Sequence, residues 1–185
     1  MNEIKLKLPA KQELIYRKNW MSDTKTMAYN AGYDIPIEEY DYKTGCIDIS
    51  LEDLSTWLSD WTENPKKKYV LFIYISEEKI PIGEVYCYYN EQEKIHNLGI
   101  LIKKEYRHKQ YGYLALEKFV SLAFDKLQVS ALSDYIPIAR EQAIKTFLRV
   151  GFVKTNNYKT QQKFNKNEKS VQLLLTKERY TTRKQ

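Results

Sequence analysis

Residues 95–116 constrain this chain more than any other stretch. Leu98, Ile100, Leu101 and Ile102 form a dense apolar segment of strand character. A basic turn follows, carrying Lys103, Lys104, Arg107 and Lys109. Beyond it, Leu116, Phe119, Val120, Ala123, Phe124 and Leu127 keep the i, i+3, i+4, i+7 spacing of a helix with one buried stripe. A strand that passes through a basic turn into a helix is suited to holding an anion. The first helical N–H groups have no intrahelical partner, and the macrodipole adds partial positive charge at the same end. Arg107 and Lys109 would bring full charges there.

The turn also carries a family resemblance. The run Arg107, His108, Lys109, Gln110, Tyr111, Gly112 resembles the pyrophosphate-binding signature of the GNAT superfamily of N-acetyltransferases, Arg/Gln-x-x-Gly-x-Gly/Ala. Arg107 and Gly112 match it. Gln110 stands where the first glycine is expected, and glycine there lets backbone approach phosphate closely. Residues 140–152 are similar to the family's late helix, which ends in Gly-Phe, here Gly151 and Phe152. The resemblance spans residues 68–155. It implies a single α/β (α+β) domain over residues 1–180, with a mixed, mainly antiparallel sheet flanked by helices and a basic tail at 181–185. It also implies an acetyl-CoA-dependent N-acetyltransferase, with coenzyme A as co-substrate and no metal.

Several site residues are carried by that resemblance. Backbone N–H groups of Ile100, Leu101 and Ile102 would face the thioester and the pantetheine arm, stabilising the developing oxyanion without reorganising. Arg107, His108, Lys109, Gln110, Tyr111, Gly112 and Tyr113 would surround the pyrophosphate. Arg140 takes the place of an asparagine near the cofactor arm. The family often supplies a tyrosine on the late helix to protonate the departing thiolate, and this chain has Phe147 there. Tyr135 and Tyr158 are the alternatives left open.

Read from the residues alone, Glu84 is the catalytic candidate. It lies in an apolar strand between Ile82 and Val85, where a carboxylate is out of place. Partial burial would make it a better general base. A glutamate that faces solvent, or that pairs with a lysine on the next strand, is the alternative.

Charge distribution bounds the ligands. Nine acids lie between residues 34 and 63 against Lys43 alone, so that segment carries −8; the chain carries +6, leaving +14 for the rest. A basic body suits a polyphosphate at least as well as nucleic acid, which the acidic segment argues against. Tyr33, Asp34, Glu38 and Glu39 interleave carboxylates with aromatic faces, a combination that attracts ammonium groups. They are the expected acceptor site, and the expected acceptor is a cationic small molecule of aminoglycoside or polyamine type. Protein N-terminal acetylation and a non-catalytic coenzyme A-binding module are the rivals, and a homodimer is left open.

Only His96 and His108 are present, and Cys46 and Cys87 lack metal-ligand spacing, so a zinc site has little material. No apolar run reaches membrane-spanning length and the first residues lack a signal peptide's apolar region, which points to a cytoplasmic protein.

The pattern predicts strands at 3–8, 69–75, 81–89, 95–102 and 128–135, and a closing pair at 152–156 and 169–176. It predicts helices at 11–20, 26–30, 51–61 and 139–150 besides the signature helix, a hairpin turn at 76–79 and a long loop at 31–50.

Overall fold

The computed structural model describes residues 3–76 and 79–184, so Glu77 and Glu78 of the expected 76–79 turn lie outside the described residues. The chain runs β1 (Ile4–Lys7), α1 (Leu14–Ser22), α2 (Thr24–Met27), α3 (Leu51–Glu63), β2 (Lys68–Ile75), β3 (Pro81–Asn90) and β4 (Ile95–Ile102). It continues through α4 (Tyr111–Asp125), β5 (Ala131–Pro137), α5 (Glu141–Val150), β6 (Val153–Lys163), β7 (Lys166–Thr176) and α6 (Lys177–Lys184). The seven strands form one sheet in the order β1-β2-β3-β4-β5-β7-β6. β4 and β5 run parallel, and the other neighbouring strands are antiparallel. The expected α/β, mainly antiparallel architecture is therefore present.

Each sheet face has its own apolar cluster. On the first face α4 buries Ala115, Leu116, Phe119, Val120, Ala123 and Phe124 against Leu71, Val85, Cys87, Leu98 and Leu132, joined by Ile144 and Phe147 of α5. At ~1.5–3 kcal/mol for each large side chain removed from water, this stripe fixes α4 across the sheet. On the second face Trp20, Met27, Phe72, Tyr74 and Leu101 pack together beneath α1 and α2, with Cys46 and Ile47 of the 31–50 loop against them. α3 covers the same face. Ser50 caps it by accepting from the Asp53 N–H at 3.0 Å, and Leu54 is its buried anchor. Leu51, the first residue of the helix, is 48% exposed.

Three features differ from the sequence pattern. The closing pair is a long hairpin of 11-residue strands turning at Phe164 and Asn165, both at positive φ, rather than two short strands. Most of β6 is exposed, so no apolar alternation announced it. The chain end is helical through Lys184, because Tyr180 stacks on Phe124 at 4.8 Å and Arg179 donates to the Gly151 carbonyl, tying α6 to α4 and α5. The strand expected at 128–135 runs instead over Ala131–Pro137.

Candidate functional site

β4 and β5 pair only at His96↔Leu132 and Asn97↔Ser133. Beyond that point β4 stays with β3 to Gly83↔Ile102, and β5 stays with β7 to Pro137↔Ser170. The sheet therefore forks, and the backbone edge of β4 over residues 98–102 faces a gap instead of a strand. Bounded by that edge, by the start of α4 and by α5 is a cleft of about 800 Å³. Of the residues that the resemblance assigns to the cofactor, Ile100, Leu101, Ile102, Arg107, His108, Gln110, Gly112, Tyr113 and Arg140 line it. Lys109 and Tyr111 do not: Lys109 projects over Tyr106 at 5.7 Å, and Tyr111 is buried in the first cluster.

The cleft is strongly cationic. Lys104, Arg107, Arg140, Lys145 and Arg149 line it and, among the described residues, no carboxylate does. Lys145 and Arg149, on α5, were not singled out from sequence; their i, i+4 spacing on the face that carries Ala143 and Thr146 was the available signal.

The signature turn is built rather than merely basic. His108 and Gln110 sit at φ 62° and 65°, in the left-handed region that favours glycine, and Gln110 is the N-cap of α4. Gln110 thus adopts the conformation that the missing glycine would adopt without strain. Its side chain makes no capping bond, so the first N–H groups of α4 point into the cleft end without one. A Cβ on Gly112 would meet nothing nearer than Ile102 Cγ1 at 4.0 Å. No protein atom demands a glycine there, and the space it leaves is cleft. Arg107 differs from expectation: Nε donates to the Ile102 carbonyl at 2.8 Å and Nη2 to the Thr26 carbonyl at 2.6 Å. Much of its hydrogen bonding is spent tying the turn to α2, and burial pulls its guanidinium below the ordinary value.

A second group of polar side chains gathers where the strands part. Glu84 is 1% exposed, and Arg17 Nε donates to its Oε2 at 2.8 Å. The same guanidinium lies over Trp57 at 3.8 Å. Glu84 is thus the carboxylate of a buried ion pair and is absent from the cleft lining. Next to it on the same strand face, Tyr86 lies across Gly99, where a Cβ would meet its ring. Burial raises the Tyr86 phenol, helped by Glu84, Tyr29 and Asp134. Tyr29 lines the cleft between Arg107 and Arg140, 5.4 and 4.7 Å from its ring, and Arg140 Nη2 donates to its carbonyl at 2.6 Å. Burial raises the Tyr29 phenol, opposed by those two guanidinium groups. Phe147 lines the cleft at 3% exposure, packed on Phe152, so that position has no hydroxyl. Tyr135 lies beneath Lys159 at 3.7 Å and Tyr158 is half-exposed on β6; neither lines the cleft.

With this geometry in place, the comparison with known proteins is specific. Residues 8–153 match the model of the acetyltransferase (GNAT) domain. The chain belongs to the GNAT acetyltransferase family. It is an acetyl-CoA-dependent N-acetyltransferase. No curated protein matches it at significant sequence similarity. The fold is that of the spermidine N-acetyltransferase from Vibrio cholerae solved with CoA and spermine, at TM-score 0.73 and 14% identity, covering 96% of this chain and 98% of that one. A GNAT acetyltransferase from Bacillus anthracis gives TM-score 0.69 at 13% identity, with 96% and 98% covered. A candidate ribosomal-protein-serine acetyltransferase from Vibrio cholerae gives 0.64 at 13%, with 95% of each chain covered.

The GNAT site residues expected on the acceptor side are not gathered in the cleft. Asp34, Glu38 and Glu39 are exposed on the 31–50 loop. Tyr33 is engaged by the hairpin instead: its hydroxyl donates to Glu168, Lys163 lies over its ring at 4.7 Å, and it bridges to Lys163. His96 is buried, with Nε2 2.7 Å from the Lys66 carbonyl, as a structural histidine would be. Burial pushes the Cys87 thiol up to about 12, which leaves it inert. Among the described residues no His/Cys/Asp/Glu group could hold a metal, and no helix is long and apolar enough to cross a membrane.

Proposed function

We propose that this acetyltransferase moves the acetyl group of acetyl-CoA to the amine of a small polycation. The observation that carries the proposal is the division of charge between the two faces of the sheet. The first face holds a cleft with five cationic side chains and, among the described residues, no carboxylate. The second face is covered by the segment of charge −8. A polyanionic donor and a polycationic acceptor are the pair that this arrangement attracts. Ring faces add to it: Trp57, Trp61, Tyr86 and Tyr88 stand within 5.3–6.1 Å of one another in successive contacts on the acceptor face.

The residues present suit coenzyme A. The α4 N-terminus with the opening at Gly112 would receive the pyrophosphate, Lys145 and Arg149 would neutralise outer phosphate, and the open edge of β4 would hydrogen-bond the pantetheine amides. Bound acetyl-CoA supplies a thioester carbonyl for attack. The protein excludes water with Ile100, Leu101 and Phe147, and donates backbone N–H groups to the developing oxyanion.

The test is acetyl-CoA-dependent thiol release over spermidine, an aminoglycoside, a simple monoamine and a peptide with a free N-terminus, each repeated with Glu84→Gln. Turnover with a polycation, with KM rising as salt is added, is the expected result. Turnover on the peptide alone would overturn the polycation assignment and leave the acetyltransferase intact.

A further inference from the structure

We propose that the Tyr29 hydroxyl gives the departing sulfur its proton. The proposal rests on the acetyl-CoA chemistry of the cleft and is independent of which amine is acetylated.

Position is the first argument. Tyr29 lines the cleft together with Phe147 and with Ile100 and Leu101 of the open β4 edge. Two side-chain donors take its carbonyl, Arg140 Nη2 at 2.6 Å and Lys163 Nζ at 3.3 Å. Its ring is flanked by the guanidinium groups of Arg140 and Arg107, 4.7 and 5.4 Å from the centroid. Arg107 is itself anchored on the Ile102 and Thr26 carbonyls. Backbone and ring are therefore both fixed. The hydroxyl, by contrast, has no hydrogen-bond partner among the described residues. A phenol held in the cleft wall with its O–H unspent can donate to a ligand atom.

Elimination within the cleft is the second argument. Phe147 has no proton to give. The other hydroxyls of the lining are engaged: Tyr113 donates to Glu117 Oε1 at 2.6 Å, and Thr146 donates to the Gln142 carbonyl at 2.8 Å. His108 belongs to the signature turn beside the α4 N-terminus. Tyr29 is the lining hydroxyl that remains.

Electrostatics is the third argument. A donor must hold its proton before the step and tolerate negative charge after it. Burial raises the Tyr29 phenol, so the proton is in place at neutral pH. The phenolate left behind meets Arg107 from the turn, Arg140 from the start of α5 and Arg17 from α1, against Glu84 from β3. Arg17 and Glu84 offset each other as an ion pair, which leaves two guanidinium groups to stabilise the new charge. Tyr86, the other phenol acting on this group, is neutral.

The step balances. The uncharged amine attacks the thioester carbon, forming the N–C bond while the carbonyl electron pair moves to oxygen. The nitrogen proton passes to water. The carbonyl re-forms, the C–S bond breaks with its pair on sulfur, and the Tyr29 O–H proton passes to that sulfur. The phenolate takes a proton back from the hydronium ion. Amide and free thiol leave, with Tyr29 and water restored.

The experiment compares wild type with Tyr29→Phe, which keeps the ring and both carbonyl bonds. Its melting temperature should stay within about 2 °C of wild type. Thiol release from acetyl-CoA is read with spermidine and with hydroxylamine, a small nucleophile that needs no acceptor site. Tyr29→Phe should lose about 10²-fold in kcat with the acetyl-CoA KM held within about threefold. A variant kcat within about threefold of wild type overturns the proposal. Wild-type turnover with hydroxylamine alone would strike the polycation assignment and leave hydroxylamine to decide Tyr29.

A second arm needs no turnover. Coenzyme A and desulfo-coenzyme A, which differ at the sulfur, are titrated into each protein by calorimetry at about pH 8.5, where much of the thiol is ionised. The preference for coenzyme A over the desulfo compound should be about three- to tenfold greater in wild type than in Tyr29→Phe, the factor that one hydrogen bond to sulfur supplies. Equal preferences in the two proteins would mean that the hydroxyl does not reach the sulfur, and would overturn the proposal on their own.

Discussion

The signature turn and the acidic segment carry opposite charge, and the fold treats them oppositely. The turn is fixed by backbone: two residues at positive φ, a guanidinium shared between the carbonyls of Ile102 and Thr26, and a helix N-terminus beside a glycine with room around it. Asp34, Glu38 and Glu39 are exposed on a loop whose backbone bonds run within the loop, as from the Asp48 N–H to the Glu39 carbonyl, or out to α1, as from the Ile47 N–H to the Met21 carbonyl. One region positions charge to within a bond length. The other supplies a field. Positioned charge should be costly to mutate in both stability and cofactor affinity, whereas displayed charge should change only association.

Arg107→Leu gives the largest expected effect. It strands the two carbonyls that Arg107 serves in a half-buried site and releases α2 from the turn, so unfolding by urea should show a loss of about 2–4 kcal/mol. A loss under about 1 kcal/mol would mean that Arg107 is displayed as well, free to serve phosphate, and the contrast between the regions would weaken.

Two substitutions in the turn should have opposite consequences. Gln110→Gly removes a left-handed side-chain residue and should add roughly 1 kcal/mol of stability, with the acetyl-CoA KM held or lowered. Gly112→Ala fills cleft space without touching protein, so stability should hold or rise by up to about 1 kcal/mol, while the acetyl-CoA KM should rise on the order of tenfold. If Gly112→Ala leaves KM unchanged, the opening beside the helix is not where phosphate sits.

The same contrast explains what was legible in the sequence. The strand–turn–helix of residues 95–125 announced itself because apolar period, basic turn and amphipathic stripe agree locally. The resemblance carried by that run assigned cleft residues, of which Lys109 and Tyr111 lie elsewhere, and the apolar strand around Glu84 marked its carboxylate as out of place. Its partner Arg17 is 67 residues away and has no local signature. Tyr29 lay in a short helical stretch where one tyrosine looks like any other of the 16. The long β6–β7 hairpin was hidden for a different reason. Its outer strand is an exposed edge, studded with lysine and polar residues that discourage further pairing, so it carries no alternation to read.

The smallest structural effect belongs to the acidic loop, and it is the sharpest test of displayed charge. Asp34→Asn, Glu38→Gln and Glu39→Gln combined should change stability by no more than about 0.5 kcal/mol, since none of the three is buried. The field, however, loses three of the nine acids that oppose Lys43 in the segment. For a polycationic acceptor, kcat/KM at low salt should fall severalfold with kcat held, and the difference from wild type should shrink as ionic strength approaches about 1 M, where the screening length is roughly 3 Å. A neutral acceptor should show no difference at any salt. A loss that persists at high salt would place one of these carboxylates in direct contact with substrate, and the loop would then be a built site like the turn it is set against.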